Sequence, residues 1–274
     1  MKKIVCFTID VEPDFGGLLP SDSYYGVANL SRITKIVSKY GIKITAFVTG
    51  KTLEDNFSVL KVLDEMNAEV EQHSYGHQVG HEQKLKDIDR GIKTHERIFG
   101  RKPYGYRAPQ GIITHKEVRA LEQYGILYDS SIFPAFFPGR YNRTSFPSNP
   151  FKITNSGILE IPVSVIPKIR IPIGLSYIQL LGFSTFKLLS SLFKLPDILI
   201  YHFHTYELGR VQSYFELPMI AKLGYLRAQR LYRDPLKVFE DFVEYILQRG
   251  YEPKYMIDLY REILPVTNEW NWKE

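Results

Sequence analysis

The chain has 274 residues, 44% of them hydrophobic and 24% charged, with a formal net charge of +5. That much apolar material excludes a disordered chain, and a single cysteine excludes a disulfide within it. The mild positive excess names no partner.

The length suits one large α/β domain. No internal repeat, low-complexity tract or Pro-, Gly- or Ser-rich linker divides it. Met1-Lys2-Lys3 leads into Ile4-Val5-Cys6-Phe7 before polar residues return. This is too short for a signal-peptide core and reads as a first strand over 3–10. The lone Cys6 in that run suits a reducing compartment, so a cytoplasmic location is expected. Further strands are expected over 42–48, 69–73, 105–107, 126–130, 158–163 and 198–204, with a last one near 255–259. Helical patterns alternate with them, the sign of βα units around a mainly parallel sheet. Thr114-His115-Lys116-Glu117 is a capping-box pattern with Gly125 as the closing residue. Asp234-Pro235 opens a final long helix that Gly250 ends, and Phe239, Phe242, Val243 and Ile246 mark its buried face.

The chemistry begins at Glu69-Val70-Glu71-Gln72-His73-Ser74-Tyr75-Gly76-His77, a strand running into a turn. Two imidazoles four residues apart can share one metal ion if a carboxylate arrives from elsewhere. The ordinary alternative is a helical surface stripe, which His81 would extend. Gly76 and Gly80 argue against it, since each glycine costs a helix interior ~1 kcal/mol. Asp10 and Glu12 are two apart and share one face of the first strand. Beside a metal, one carboxylate binds the ion while the other takes a proton from water that the ion acidifies. Each has the alternative of merely capping a turn.

Arg107, in Tyr106-Arg107-Ala108-Pro109-Gln110, needs an anion, and Asp10 is its natural partner; a structural ion pair elsewhere is the alternative. His204 ends Leu199-Ile200-Tyr201-His202-Phe203-His204 and suits a general acid. His202 shares its face one layer deeper, behind the acid or in the core. All these groups fall at C-terminal strand ends, where parallel βα barrels keep their chemistry. The basic, apolar stretch 168–194 is interrupted by Pro172, Gly174, Gln179, Gly182 and Lys187. It is expected to line a cleft, rest on a membrane surface or form a core helix, rather than span a bilayer. Nothing supports nucleic-acid binding.

Together these motifs resemble the polysaccharide deacetylases of the NodB-homology type, carbohydrate esterase family 4. Thr8-Ile9-Asp10-Val11-Glu12 matches the family's Thr-Phe-Asp-Asp motif, and His73-Ser74-Tyr75-Gly76-His77 matches His-Ser/Thr-x-x-His. Arg107-Ala108-Pro109 matches its Arg-x-Pro segment, and 199–204 its strand ending in His. A branch with Asp-Val-Glu, Tyr-Arg-Ala-Pro and Tyr-Asp-Ser-Ser-Ile-Phe-Pro motifs is most similar, the last being Tyr128 to Pro134; His204-Thr205-Tyr206-Glu207 is like its His-Pro-Trp-Glu end.

The resemblance implies a single-domain α/β fold, a distorted (β/α) barrel of about seven strands over 1–274. Residues 164–196 would be an insertion bordering the site, and 208–274 a helical and strand completion. It implies a divalent metal, zinc by preference, held by His73 and His77, with Asp10 as base, His204 as acid and Arg107 orienting Asp10. Gln110 (through a nearby backbone N–H for the oxyanion), Tyr128, Asp129 and Tyr206 are expected at the substrate.

Two departures stand out. Val11 occupies the place of the usual metal-binding Asp, so Glu12 is chosen as third ligand, with the reverse assignment of Asp10 and Glu12 left open. The usual acid-tuning Asp-x-x-Asp-Trp segment is absent, so the acid has no assigned partner. The expected activity is removal of N-acetyl from an acetamido sugar carried by a nucleotide or a lipid, with contact to a membrane surface through 168–194. The alternatives are hydrolysis of a small cyclic or ureido amide, a non-haem iron oxygenase, or a non-catalytic sugar-binding relative.

Overall fold

The computed structural model describes residues 2–16, 18–19, 22–77, 81–209, 211–219, 221–223, 225–226 and 234–272. Among these the strands are β1 (Ile4–Val11), β2 (Ile44–Val48), β3 (Glu69–Gln72), β4 (Gly105–Tyr106), β5 (Tyr128–Asp129), β6 (Phe136–Phe137), β7 (Tyr141–Asn142), β8 (Phe151–Ile153), β9 (Leu159–Glu160), β10 (Ile198–His204), β11 (Glu252–Pro253) and β12 (Glu269–Trp270).

Seven of them form a continuous parallel series, β10-β1-β2-β3-β4-β5-β9. They are the seven the sequence predicted, several trimmed at their ends. The antiparallel β8 extends the series from β9, and β12 follows β8. Between β9 and β10 the sheet is joined by irregular chain: Ser164 N donates to Ile200 O (3.1 Å) and His202 N to Ile173 O (3.3 Å). The result is a curled, distorted (β/α) barrel.

Every residue of β1 is buried, as a strand covered on both faces requires. Its outer face packs under the helix Pro235–Gln248, where Phe242 stacks on Tyr201 with centroids 4.1 Å apart and Phe239 meets Phe7 at 6.1 Å. That helix starts as predicted: Asp234 accepts from Leu236 N (3.1 Å), and Pro235 stands where no N–H partner is needed. Thr114 and Glu117 form the predicted capping box on His115–Gln123.

The expected strand at 255–259 is instead part of the helix Met256–Ile263. Its first N–H groups, of Met256 and Ile257, donate to the half-buried Glu69 carboxylate (2.8 and 3.0 Å). An anion at a helix start settles a pattern that a short apolar run leaves ambiguous. The added strand is β11, just before it, paired with β1.

Residues 164–196 contain the helices Leu175–Leu181 and Phe183–Leu192, broken at Gly182, whose φ is +89°. Ile178 and Phe186 enter the core, while Leu188 and Leu192 are exposed. Among the described residues no helix is long and apolar enough to cross a membrane. Gly80 and the side chain of His81 lie outside the described residues.

Candidate metal centre and active site

Aligned strand ends bring the site together. Asp10 at the end of β1 is opposite His204 at the end of β10, and Gln72, just before His73, is opposite Tyr106, just before Arg107. Alternation along the chain then separates Val11 from its neighbours. Val11 points into the apolar core, whereas Asp10 and Glu12 line one cavity of about 120 Å³.

Glu12 Oε2 lies 3.1 Å from His73 Nε2 and 2.7 Å from His77 Nε2, all three side chains buried. His73 Nδ1 is 2.8 Å from Arg107 O. A carbonyl can only accept, so that nitrogen carries a proton, and Nε2 is the ring atom turned to Glu12 and the cavity. The turn carrying His77 places Ser74 and His77 at φ of +67° and +61°, an uncommon backbone for residues with a Cβ. Asp87 holds it, accepting from Gly76 N (2.9 Å) and from the Ser74 hydroxyl. Gly16 covers the group, and a Cβ there would stand 2.8 Å from Glu12 Oε1 and 2.9 Å from the His77 ring.

Asp10 is held by different partners. Arg107 Nη1 donates to Oδ1 (2.8 Å), and His202 Nε2 lies 3.0 Å from Oδ2. Arg107 is itself fixed by Ser130, donating to its carbonyl and hydroxyl at 3.0 Å each, and lies over the Phe47 ring. Burial works to raise the Asp10 carboxyl, but Arg107, His73 and His202 hold it well below the usual carboxylate range. Glu12 is likewise lowered, against burial, by His77 and His73.

His204 Nε2 is 3.9 Å from both Asp10 Oδ2 and Glu12 Oε1. Its Nδ1 lies 2.9 Å from Glu207 Oε1. Burial lowers its affinity for a proton, but Glu207, with Glu12 and Asp10 beyond, pushes the imidazole up to about 9. Glu207 is therefore the partner of His204 that the motif reading left unassigned. Its sequence signal is a carboxylate three residues after His204, which also accepts from His204 N as in a capping box. His202 was placed one layer too deep by the strand pattern: it is a cavity-lining residue in contact with Asp10.

Gln110 and Tyr206 also line the cavity, Tyr206 stacked on His204. Tyr128 and Asp129 do not. Tyr128 is fully buried among Cys6, Phe47 and Leu159, and its hydroxyl lies 3.4 Å from Glu69 Oε1. Asp129 is fully buried; its Oδ1 accepts from Ser131, and Glu160 is its other partner. Both residues precede the end of β5 closely enough to fall in a packed layer under the cavity. Strand periodicity cannot distinguish that depth.

Among the described residues, two sets of side chains bring metal-ligating atoms within 4.8 Å of one another: Glu12, His73 and His77, and Asp10, His202 and His204. The first fits a resident divalent ion better. Its carboxylate has imidazoles as partners, the His77 Nδ1 is a buried atom with no hydrogen-bond partner among the described residues, and two histidines with one carboxylate are a zinc donor set. In the second set Asp10 is committed to Arg107.

Residues 1–128 match the family model described as polysaccharide deacetylase. Over 115 residues the chain is 32% identical to the peptidoglycan deacetylase-like protein FGM2 of Gibberella zeae, a match covering 40% of this chain and 34% of that protein. It thus spans about a third of the length of that curated relative. Among solved structures, the chain is similar to a probable polysaccharide deacetylase from Pseudomonas aeruginosa PAO1. The TM-score is 0.62 at 13% identity, over 97% of this chain and 92% of that one. It is also similar to Puue allantoinase, with a TM-score of 0.63 at 16% identity over 96% and 91%. At those identities the likeness shows the fold. The sequence match to polysaccharide deacetylases thus covers the first 128 residues, and nearly the whole chain shares the fold of those solved structures.

Proposed function

We propose that this protein is a metal-dependent hydrolase that removes the N-acetyl group from an acetamido sugar, a nucleotide- or lipid-linked precursor of a surface polysaccharide. The observation that carries the reading is the division of the two carboxylates: Glu12 faces His73 and His77, while Asp10 faces Arg107 and His202. That supports Glu12, His73 and His77 as the ligands of a divalent ion, zinc by donor chemistry, and Asp10 as the base. When bound, the ion would polarise the amide carbonyl and make water more acidic.

Asp10, ionised and oriented by Arg107, takes a proton from the attacking water. The water oxygen bonds to the acyl carbon as the carbonyl oxygen gains charge, and a backbone N–H near Gln110 supports that oxyanion. His204, protonated at neutral pH, gives its proton to the sugar nitrogen as the C–N bond breaks. Acetate and a free amino sugar result.

The test is acetate release by the purified, zinc-loaded chain from nucleotide-linked, lipid-linked and oligomeric N-acetyl sugars, with and without chelator. Chelator-sensitive release from any of them is expected; none from all of them overturns the reading. The cavity's small volume favours a second reading, a hydrolase of small cyclic or ureido amides. Ammonia or carboxylate release from such amides, with no acetate from the sugars, would select it. A cytoplasmic site of action and contact with a bilayer through 168–194 belong to the same proposal, the exposed Leu188 and Leu192 being their support.

A further inference from the structure

The floor and one rim of the cavity carry opposite chemistry. The acidic groups among the lining residues, Asp10 and Glu12, stand at the floor and are matched by Arg107 and the histidines. The lining also includes Arg140, Tyr141, Ser176 and Tyr177, one guanidinium and three hydroxyls, with Arg140 exposed at the outer edge and the Glu207 carboxylate behind Tyr177.

Arg140 is placed there by a built turn. It ends Phe137-Pro138-Gly139-Arg140, where Arg140 N donates to Phe137 O (3.1 Å) and Gly139 has a φ of +77°. Proline followed by a positive-φ glycine is the pattern of a type II turn. Phe137 anchors the hairpin of β6 and β7, with its ring 5.2 Å from Tyr141 and 6.3 Å from Tyr177 between centroids.

The arginines nearby have partners. Arg143 donates to Gly111 O at 2.5 Å and lies over the Tyr141 ring, and Arg107 is committed to Asp10 and Ser130. Arg140 forms no ion pair and no side-chain hydrogen bond with any described residue. A solvated arginine at a turn tip needs no explanation by itself. One that lines a catalytic cavity beside three hydroxyls, with no carboxylate paired to it among the described residues, has a chemical complement. That complement is an anion, which a guanidinium grips with two parallel N–H donors and tyrosine hydroxyls can share.

We infer that Arg140, with the hydroxyls of Tyr141 and Tyr177, forms an anion subsite for the phosphoryl group that links an acetamido sugar to its carrier. The inference rests on the deacetylase reading of the cavity floor and narrows it to phosphoryl sugars. A nucleotide diphosphate and a lipid diphosphate share the recognised chemistry.

The experiment measures acetate release by the zinc-loaded chain from four probes: N-acetylglucosamine 1-phosphate, its uridine diphosphate conjugate, a short polyprenyl diphosphate conjugate in detergent, and the neutral N-acetylglucosamine tetramer. A charge-assisted pair predicts kcat/KM about 10- to 100-fold higher on the phosphoryl probes than on the tetramer. Arg140→Gln should raise KM on those probes about tenfold with kcat little changed, and Arg140→Lys should recover part of the loss. The relative rates on the uridine and polyprenyl conjugates distinguish the carrier.

Equal kcat/KM on charged and neutral probes, or an unchanged preference in Arg140→Gln, overturns the subsite while leaving the deacetylase reading standing. Calorimetric binding of N-acetylglucosamine 1-phosphate against the neutral sugar gives a readout free of turnover. If no probe releases acetate, the deacetylase reading fails, and the subsite is then decided by whether the phosphate binds more tightly and whether Arg140→Gln removes the difference.

Discussion

Two pairs of buried carboxyl groups stand within a few residues of the cavity and are held in opposite charge states. Asp10 and Glu12, at the floor, are surrounded by Arg107 and four imidazoles, and both are lowered below the carboxylate range. Asp129 and Glu160, on β5 and β9, are as deeply buried but lack a paired cation. Ser131 donates to one oxygen of Asp129, and Ile132 N to one of Glu160 (2.6 and 2.9 Å). The remaining oxygens, Oδ2 and Oε2, have no donor except a proton shared between the two groups. Burial, then the charge of Asp129, pushes Glu160 well up, and burial raises Asp129. Burial acts alike on both pairs; the neighbours decide the sign.

The roles follow. The floor pair is charged and can bind an ion and take a proton. The second pair is a neutral-plus-charged couple that holds Ser131 and Ile132, next to the Ser130 that grips Arg107. Their contributions to stability also depend on pH in opposite directions. For the lowered pair, stabilisation is present above the ordinary carboxylate range, about 4, and is lost as pH falls through the folded values. For the raised pair, stabilisation is present below about 4 and is lost as pH rises through the folded values.

The sharpest contrast is catalytic. Asp10→Asn should cut acetate release by about 10²- to 10⁴-fold in steady-state assays, the range for removing a general base. Asp129→Asn should cost far less, because its carboxyl meets no substrate. Comparable losses in the two variants would erase the distinction drawn between the pairs.

Next in size is Arg107→Ala, which leaves Asp10 buried beside His202 without its cation. A loss of about 3–5 kcal/mol is expected in urea unfolding, the cost of breaking a buried pair. A loss under about 1 kcal/mol would mean that Asp10 reaches solvent or takes up a proton easily.

A smaller, diagnostic effect concerns His204. With Glu207 beside it the acid stays protonated up to about 9, so the rate should fall only as pH rises through that value. Glu207→Gln should bring this alkaline limb down towards the ordinary histidine value, about 6.5, in kcat/KM against pH. An unmoved limb would remove Glu207 as the tuning partner.

The smallest expected effect is at the second pair. Glu160→Gln replaces a protonated acid by an amide of similar shape, so stability at pH 7 should change by less than about 1 kcal/mol. The loss of stability as pH rises above the ordinary carboxylate range should flatten, as read from urea midpoints. A destabilisation of several kcal/mol at pH 7 would show that Glu160 is ionised in the folded protein.

Much of this was legible in the chain. The apolar runs of β1, β2 and β10 are long enough to declare strands, and the caps at Thr114 and Asp234 declare helix starts, because those signals are local. The candidate site was legible through its residue types at strand ends: Asp10, Glu12, His73, His77, Arg107 and His204 do converge on one cavity. Depth was not legible. Tyr128 and Asp129 sit at a strand end like the others, yet fall one layer below the rim. His202, assigned below it, reaches the cavity. Nor could periodicity reveal that Glu69, far away in sequence, would cap the helix at Met256.

By itself, then, the amino-acid sequence determined the order of the seven main strands, the chemistry available at their ends, and the placement of Asp10 and Glu12 on one face of the first strand. Local spacing and alternation act over a few residues and need no partner. Only the tertiary structure decided which carboxylate faces two imidazoles and which an arginine, and that Arg140 lines the cavity with no ion-pair partner among the described residues. Those outcomes depend on distances between segments separated by tens to hundreds of residues, which strand register and the packing of the curled sheet establish.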